Sequence, residues 1–252
     1  MIRVTAQLIN TNDGTHEWSH TFDRKLDSIF KIQDEIASEV SKELKLSLLG
    51  EEIKSQTLDP EAYNLYLQAS HLARQNTKDA YIQAEIKVKE SIALDSTYSE
   101  AWRLLAGIYD TGTYNFSIRE PAEGIPLGLN AVHKAISLNP DSGYSYATLA
   151  SLQELNWDFE ASARNMNKAL ALMPNDGVIK GTAALMTFGD LEKAIDLINE
   201  AIEIDPLVYS NYFNLGHTNY RLNRLEEAEA AFNTFELYYP NWEIYHLSLI
   251  HI

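Results

Sequence analysis

Two different periodicities divide the chain. From Arg3 to Arg24, in RVTAQLINTNDGTHEWSHTFDR, apolar and polar positions alternate, the pattern of half-buried β-strands. A three-residue turn Asn12-Asp13-Gly14, with glycine in the left-handed region, folds the stretch into a hairpin. That turn sets Val4 opposite Phe22, Ala6 opposite His20 and Leu8 opposite Trp18. One face then carries Val4, Ala6, Leu8, Trp18 and Phe22, and the other Thr5, Gln7, Glu17, Ser19 and Thr21. A lone hairpin is marginal in water, so the apolar face needs a cover. The following DSIFKIQDEIASEVSKELKLSLLG supplies a candidate helix, capped at Asp27 or Ser28 and stopped at Gly50. Its stripe is Ile29, Ile32, Ile36, Val40 and Leu44.

From residue 60 onward, apolar residues recur three and four apart, the period of helices. Four segments close alike: AISLNP at Pro140, ALALMP at Pro174, AIEIDP at Pro206 and FELYYP at Pro240, spaced 34, 32 and 34 residues. SIALDS, ending at Ser96, is the same signal without its proline. Proline fixes φ and removes an amide donor, which ends a helix. A second helical pattern precedes each closing helix. In the last unit, small Gly216 and Ala228 let two helices approach while Tyr212, Leu215 and Phe232 fill the space between them.

This pattern resembles the tetratricopeptide repeat, a helix–turn–helix unit of 34 residues. The resemblance covers residues 60–240 in units of about 60–97, 98–140, 141–174, 175–206 and 207–240, with an end helix over 241–252. The expected fold is mainly α: a right-handed solenoid of about five helix pairs, preceded by the hairpin and its helix and joined to them by a linker at 51–59. One such unit does not bury its apolar face alone, and stacking neighbours does so. Unit one departs from the pattern at Ser96, and Ala69, Ala106, Ala150 and Thr182 stand where the family often has glycine. Unit two carries the insertion DTGTYNFSIREPAEGIP, which sets the start of its second helix near Pro121. The insertion either closes one end of the groove or packs locally as a surface loop.

Residues 2–45 resemble the closing part of the TolB-like amino-terminal domain through their AQLI, EWS, FDR and IQDEIA elements. The resemblance implies a bacterial protein in which this domain links an output domain to the repeats. The output domain is a class III adenylate or guanylate cyclase, or the winged helix of CadC-like regulators. Opening on a strand at the second residue reads as a cut within that domain. The hairpin would then expose an unpaired edge through which the chain could self-associate.

Composition narrows the function. Lys and Arg number 20 against 36 Asp and Glu, a net charge of −16, which disfavours direct contact with nucleic acid. There is no cysteine, no apolar run long enough to span a membrane and no secretion signal at MIRVTAQL. A cytoplasmic location fits, with a periplasmic one open if the parent is a membrane-anchored regulator.

No constellation points to chemistry. His16 and His20 share a strand face but stand about 13 Å apart, too far for one metal. His71, His133 and His217 are single, and His246 and His251 do not share a helix face. NTNDGTHEW fails the calcium-loop pattern, which would place Ile9 and His20 at ligand positions. Phosphate-binding glycine loops and nucleophile elbows are missing from the sequence. No cofactor, metal or enzymatic role is expected of this chain.

What the resemblance implies instead is a concave groove, lined by the first helix of each unit, for a peptide, a protein or the chain's own upstream domain. Its candidate residues are Tyr66, Ser70 and Arg74; Arg103 and Gly107; Ala147, Ser151 and Glu154; Ile179, Ala183 and Met186; and Phe213, His217, Tyr220 and Arg221. Tyr, Phe and Arg are frequent anchors of interfaces. Asn214 and Arg221 alone do not reproduce the Lys, Arg and Asn clamp with which some members hold a carboxylate terminus.

Overall fold

The computed structural model describes residues 2–9, 16–24, 59–187 and 189–238. Strands β1 (Ile2–Ile9) and β2 (His16–Arg24) form an antiparallel two-stranded sheet. Their register pairs Val4 with Phe22, Ala6 with His20 and Leu8 with Trp18, as the alternation requires. Nearer the turn the register slips, and Ile9 faces His16 instead of Glu17, which leaves Glu17 as the extra residue of a bulge. Phe22 is buried, whereas Thr5, Gln7, Ser19 and Thr21 are exposed. The Arg3 guanidinium donates to both Asp23 carboxylate oxygens at 2.7 and 2.8 Å, and the Thr5 and Thr21 hydroxyls meet at 3.0 Å. The Asn12–Gly14 turn, the Ile29–Leu44 stripe and the helix expected over 241–252 fall outside the described residues.

Ten helices follow among the described residues, in five antiparallel pairs: α1 (Pro60–Arg74) with α2 (Lys78–Leu94), α3 (Ser99–Tyr114) with α4 (Pro121–Leu138), α5 (Gly143–Leu155) with α6 (Phe159–Leu172), α7 (Gly177–Leu185) with α8 (Leu191–Ile204), and α9 (Tyr209–Arg221) with α10 (Leu225–Tyr238). Each second helix packs against the first helix of the next pair. The first helices also adjoin one another, so α1, α3, α5, α7 and α9 make one layer and the second helices the other.

Local chemistry starts and stops these helices. Asp59, Thr77, Ser142, Asp158, Asp176 and Asp190 each accept a backbone N–H of the first turn through the side chain. Asn139 and Asp205, each before a proline, are extended, and Met173 before Pro174 is likewise non-helical (φ −135°, ψ 69°), because the proline ring disfavours the helical conformation in the preceding residue. Asp95 adopts the same conformation (φ −136°, ψ 94°) although Ser96 follows it. Its carboxylate accepts from the Thr97 amide and hydroxyl at 2.9 and 2.6 Å, a side-chain turn that Asn139 and Asp205 also make to Asp141 and Leu207 and that forms here without a proline. Between the helices of a pair the chain reverses through a left-handed residue: Asn76, Ser117, Trp157, Gly189 or Asn223.

The core runs as a seam between the layers. Ala69, Ala84, Leu105, Ala131, Leu149 and Leu152 fill it in the first three pairs, and Phe232 and Phe235 close it at the far end. Gly216 faces the Phe232 ring so closely that an added Cβ would come within 2.6 Å of a ring carbon.

The insertion of the second pair packs backward onto α2. Phe116 meets the Tyr81 ring with centroids 5.1 Å apart, and the Arg119 guanidinium pairs with both Glu85 oxygens at 2.8 and 2.9 Å. Lys89 reaches Glu85 at 2.7 Å as well. Burial works against the Glu85 charge, but hydrogen bonds from Lys89 and Arg119 outweigh it and hold the pKa below the usual carboxylate range. Since α2 is a second helix, the insertion packs on the layer of second helices. The second helix of this pair begins at Pro121, as the sequence requires.

Candidate functional site: the layer of first helices

The inner layer carries a connected line of side chains across four pairs. Tyr66 on α1 stacks edge-on against Tyr98 with centroids 5.1 Å apart and shares a hydrogen bond with Arg103 on α3. Burial is the main cause that raises the Tyr66 pKa. Arg103 donates to Glu100 at 2.6 Å, and its guanidinium lies 5.6 Å from the centre of the Tyr144 ring on α5. The Tyr144 hydroxyl donates to Asp176 at 2.5 Å, and Asp176 caps α7 by accepting from Val178 and Ile179. Burial, followed by this hydrogen bond, pushes the Tyr144 pKa up to about 12. Burial opposes the Arg103 charge, yet Glu100 and Tyr66 outweigh it and raise the pKa further. Tyr66, Arg103 and Tyr144 are thus oriented by one another across successive pairs.

About two turns further along, Asp110 on α3 is hydrogen-bonded to Ser151 on α5 and lies near Glu154. Burial, reinforced by the Glu154 charge and opposed by the Ser151 hydrogen bond, pushes the Asp110 pKa up to about 7. Glu154 is raised by burial.

At the far end, Phe213 stacks on His217 with centroids 6.4 Å apart and packs on Phe232 and Phe235 at 5.8 and 5.5 Å. His217, Tyr220 and Arg221 are exposed there. Partial burial, followed by the Arg221 charge, lowers the His217 pKa.

The sequence-predicted set therefore divides. Tyr66, Arg103, Ser151 and Glu154 join the inner network, and His217, Tyr220 and Arg221 form an exposed group. Ser70 is half-buried and Arg74 exposed at the other end. Phe213 serves packing as much as surface. Ala147, Ile179, Ala183 and Met186 leave the set: all four are buried in one core cluster, where the Met186 sulfur accepts from the Ser162 hydroxyl at 3.6 Å. Tyr144, Asp176, Asp110 and Glu100 belong to the network but are absent from that set. Tyr144 stands three residues before Ala147, Asp176 three before Ile179 and Asp110 three after Gly107, so the same helical face extended by one turn finds them.

Among the described residues, no group of three or more His, Asp or Glu is placed to hold a metal ion, and no helix is long and apolar enough to cross a membrane.

Comparison with known proteins decides what the pairs are. Residues 181–206 and 209–241 match the family profile described as tetratricopeptide repeat. These stretches are tetratricopeptide repeats. The repeat structure of TTC0263 from Thermus thermophilus superposes with a TM-score of 0.62 at 14% identity, over 74% of this chain and 96% of that one. A monomeric mutant of IFIT1 with Gppp-AAAA superposes with a TM-score of 0.63 at 17% identity, over 87% of this chain and 50% of that one. At such identities the likeness establishes the fold, a solenoid of tetratricopeptide-like pairs. By sequence, 153 residues are 27% identical to a protein named putative adenylate cyclase 3 from Rhizobium meliloti (strain 1021). That match takes in 59% of this chain, which spans 26% of the relative's length.

Proposed function

We propose that this chain is a protein-interaction module that takes a peptide, a partner protein or its own upstream domain against the layer of first helices. The observation that carries the reading is the line Tyr66, Arg103, Tyr144 and Asp176, whose members are oriented by one another before any guest arrives. Prior ordering lowers the entropic cost of binding. The exposed Tyr220 and Arg221 extend the surface to the open end of the layer and supply residue types that dominate interface energetics. Partners captured from a lysate and then titrated by calorimetry test the reading. Tyr220→Ala and Arg221→Ala are each expected to weaken binding by about tenfold while leaving the far-ultraviolet circular dichroism unchanged. A partner bound equally well by both variants would remove the inner layer from consideration.

A second reading concerns the whole protein. The cyclase-named relative supports a parent in which these repeats form the regulatory region of a class III nucleotide cyclase. In that case the catalytic residues lie in a separate upstream domain and the repeats set its activity. The upstream coding sequence tests it directly, because it encodes a cyclase domain, a winged helix or neither.

A further inference from the structure

The outer layer carries a cleft that the reading above does not use. It runs between α2 and α4, is floored by α3, and has a volume of about 480 Å³, within the range of ligand sites. Trp102, Leu105 and Tyr109 form the floor, and Ile92 and Leu127 stand on the walls. The indole Nε1 of Trp102 is committed to the Ser96 carbonyl at 3.0 Å, which leaves the ring to serve as apolar surface. The cleft is open, not enclosed, a form suited to side chains projecting from a segment of chain.

Its rim differs electrostatically from the rest of the molecule. The chain carries −16 overall, yet α4 has no carboxylate from Gly124 to Leu138, where His133 and Lys134 are the ionisable residues. Lys89, on the opposite wall, shares Glu85 with Arg119. Lys134, like Lys78, Lys168 and Lys193, has no ion pair among the described residues, but it stands with Lys89 in a lining that holds no carboxylate. An apolar trough edged by an uncommitted ammonium group is therefore embedded in an acidic surface.

We infer that this cleft is a second docking site, for an acidic amphipathic segment of a partner protein whose apolar side chain enters between α2 and α4 and whose neighbouring carboxylate pairs with Lys134. The charge pattern makes the choice: an acidic segment is repelled over most of this molecule and met by a cation here. The walls of the cleft are second helices, and Asn130 and Lys134 on its rim take no part in the inner-layer contacts described above.

A short synthetic peptide with Leu and Phe on one helical face and Glu on the other is the probe, with an isomer carrying Gln at every Glu as its control. Titration of the intact chain, followed by peptide anisotropy and tryptophan emission, should show the Glu peptide binding more tightly. Its affinity should fall as salt is added and drop by about tenfold in Lys134→Glu. Asn130→Glu, an exposed rim substitution, should weaken it in the same direction, with circular dichroism confirming that both variants fold. The inference is overturned if the two peptides bind alike, if neither binds, or if both rim variants bind as the parent does. It is also overturned if affinity is lost on Tyr220→Ala instead, since the peptide would then occupy the inner layer.

Discussion

Phe232→Ala is expected to cost about 3–5 kcal/mol of stability and to unravel the last helix pair before the others. The Phe232 side chain is 1% exposed and fills the space between α9 and α10, with Phe213 on one side and Gly216 beneath it. Truncation leaves a cavity that the backbone closes poorly, since Ala228 and Phe235 are held by the same helix. In a solenoid each unit contacts only its neighbours, so the loss stays local at first. Hydrogen exchange should rise over α9 and α10 while α1 to α4 keep the parent's protection, and urea denaturation should give the magnitude. The contact can be approached from its other side. Gly216→Ala pushes a methyl against the same ring and should cost about 1–3 kcal/mol through overpacking. In the Phe232→Ala background that methyl has room, so the double substitution should cost less than the sum. A loss below about 1 kcal/mol, or exchange rising evenly along the chain, would contradict this account.

The same contact shows why the fold was legible before any coordinates. Gly216, Ala228 and Phe232 are a small–small–large set at helical spacing, and each is explained within one pair of helices. Pro140, Pro174 and Pro206 act through local backbone geometry, which a sequence states directly. Ser96 was legible only as a departure, because the Asp95 side-chain turn, which Asn139 and Asp205 also make, holds the helix end there without a proline. The inner network is a different kind of object. Tyr66, Arg103, Tyr144 and Asp176 belong to successive units, and their meeting depends on how far each pair is rotated and shifted against the last. No spacing within a unit encodes that offset. Met186 illustrates the reverse error. Helical period puts it on one face with Ile179 and Ala183, and that whole face of α7 is buried. All three side chains enter one core cluster, together with Ala147 of α5. The insertion of the second pair was legible as an interruption, while its partner Glu85 lies 34 residues upstream of Arg119 and carries no local signal.

Asp110→Asn is expected to stabilise the chain at pH 8 by roughly 1–3 kcal/mol and to leave it nearly unchanged at pH 4. An unfolded aspartate titrates near 3.9. In the folded chain, burial between α3 and α5, with Glu154 nearby, pushes Asp110 up to about 7. Between those two values the folded chain holds a proton that the unfolded chain releases. The contribution of Asp110 is therefore most favourable at low pH, declines as pH rises through neutrality, and carries its full penalty above about 7. Asparagine keeps a polar side chain opposite Ser151 and has no charge to desolvate, so the difference between variant and parent should open across this window. Other carboxylates tilt the absolute profile in both directions. Glu154, raised by burial, adds to the Asp110 slope, and Glu85, held low by Lys89 and Arg119, opposes it at acid pH. The difference between the two proteins isolates the one side chain. Ser151→Ala supplies the independent check, because it removes the hydrogen bond that favours the charged form and should move the apparent pKa further upward. Urea midpoints from pH 4 to pH 9 for the parent and both variants measure all three slopes. Parallel profiles for the parent and Asp110→Asn would mean that this carboxylate is solvated in the folded chain and that the inner layer is open to water between α3 and α5.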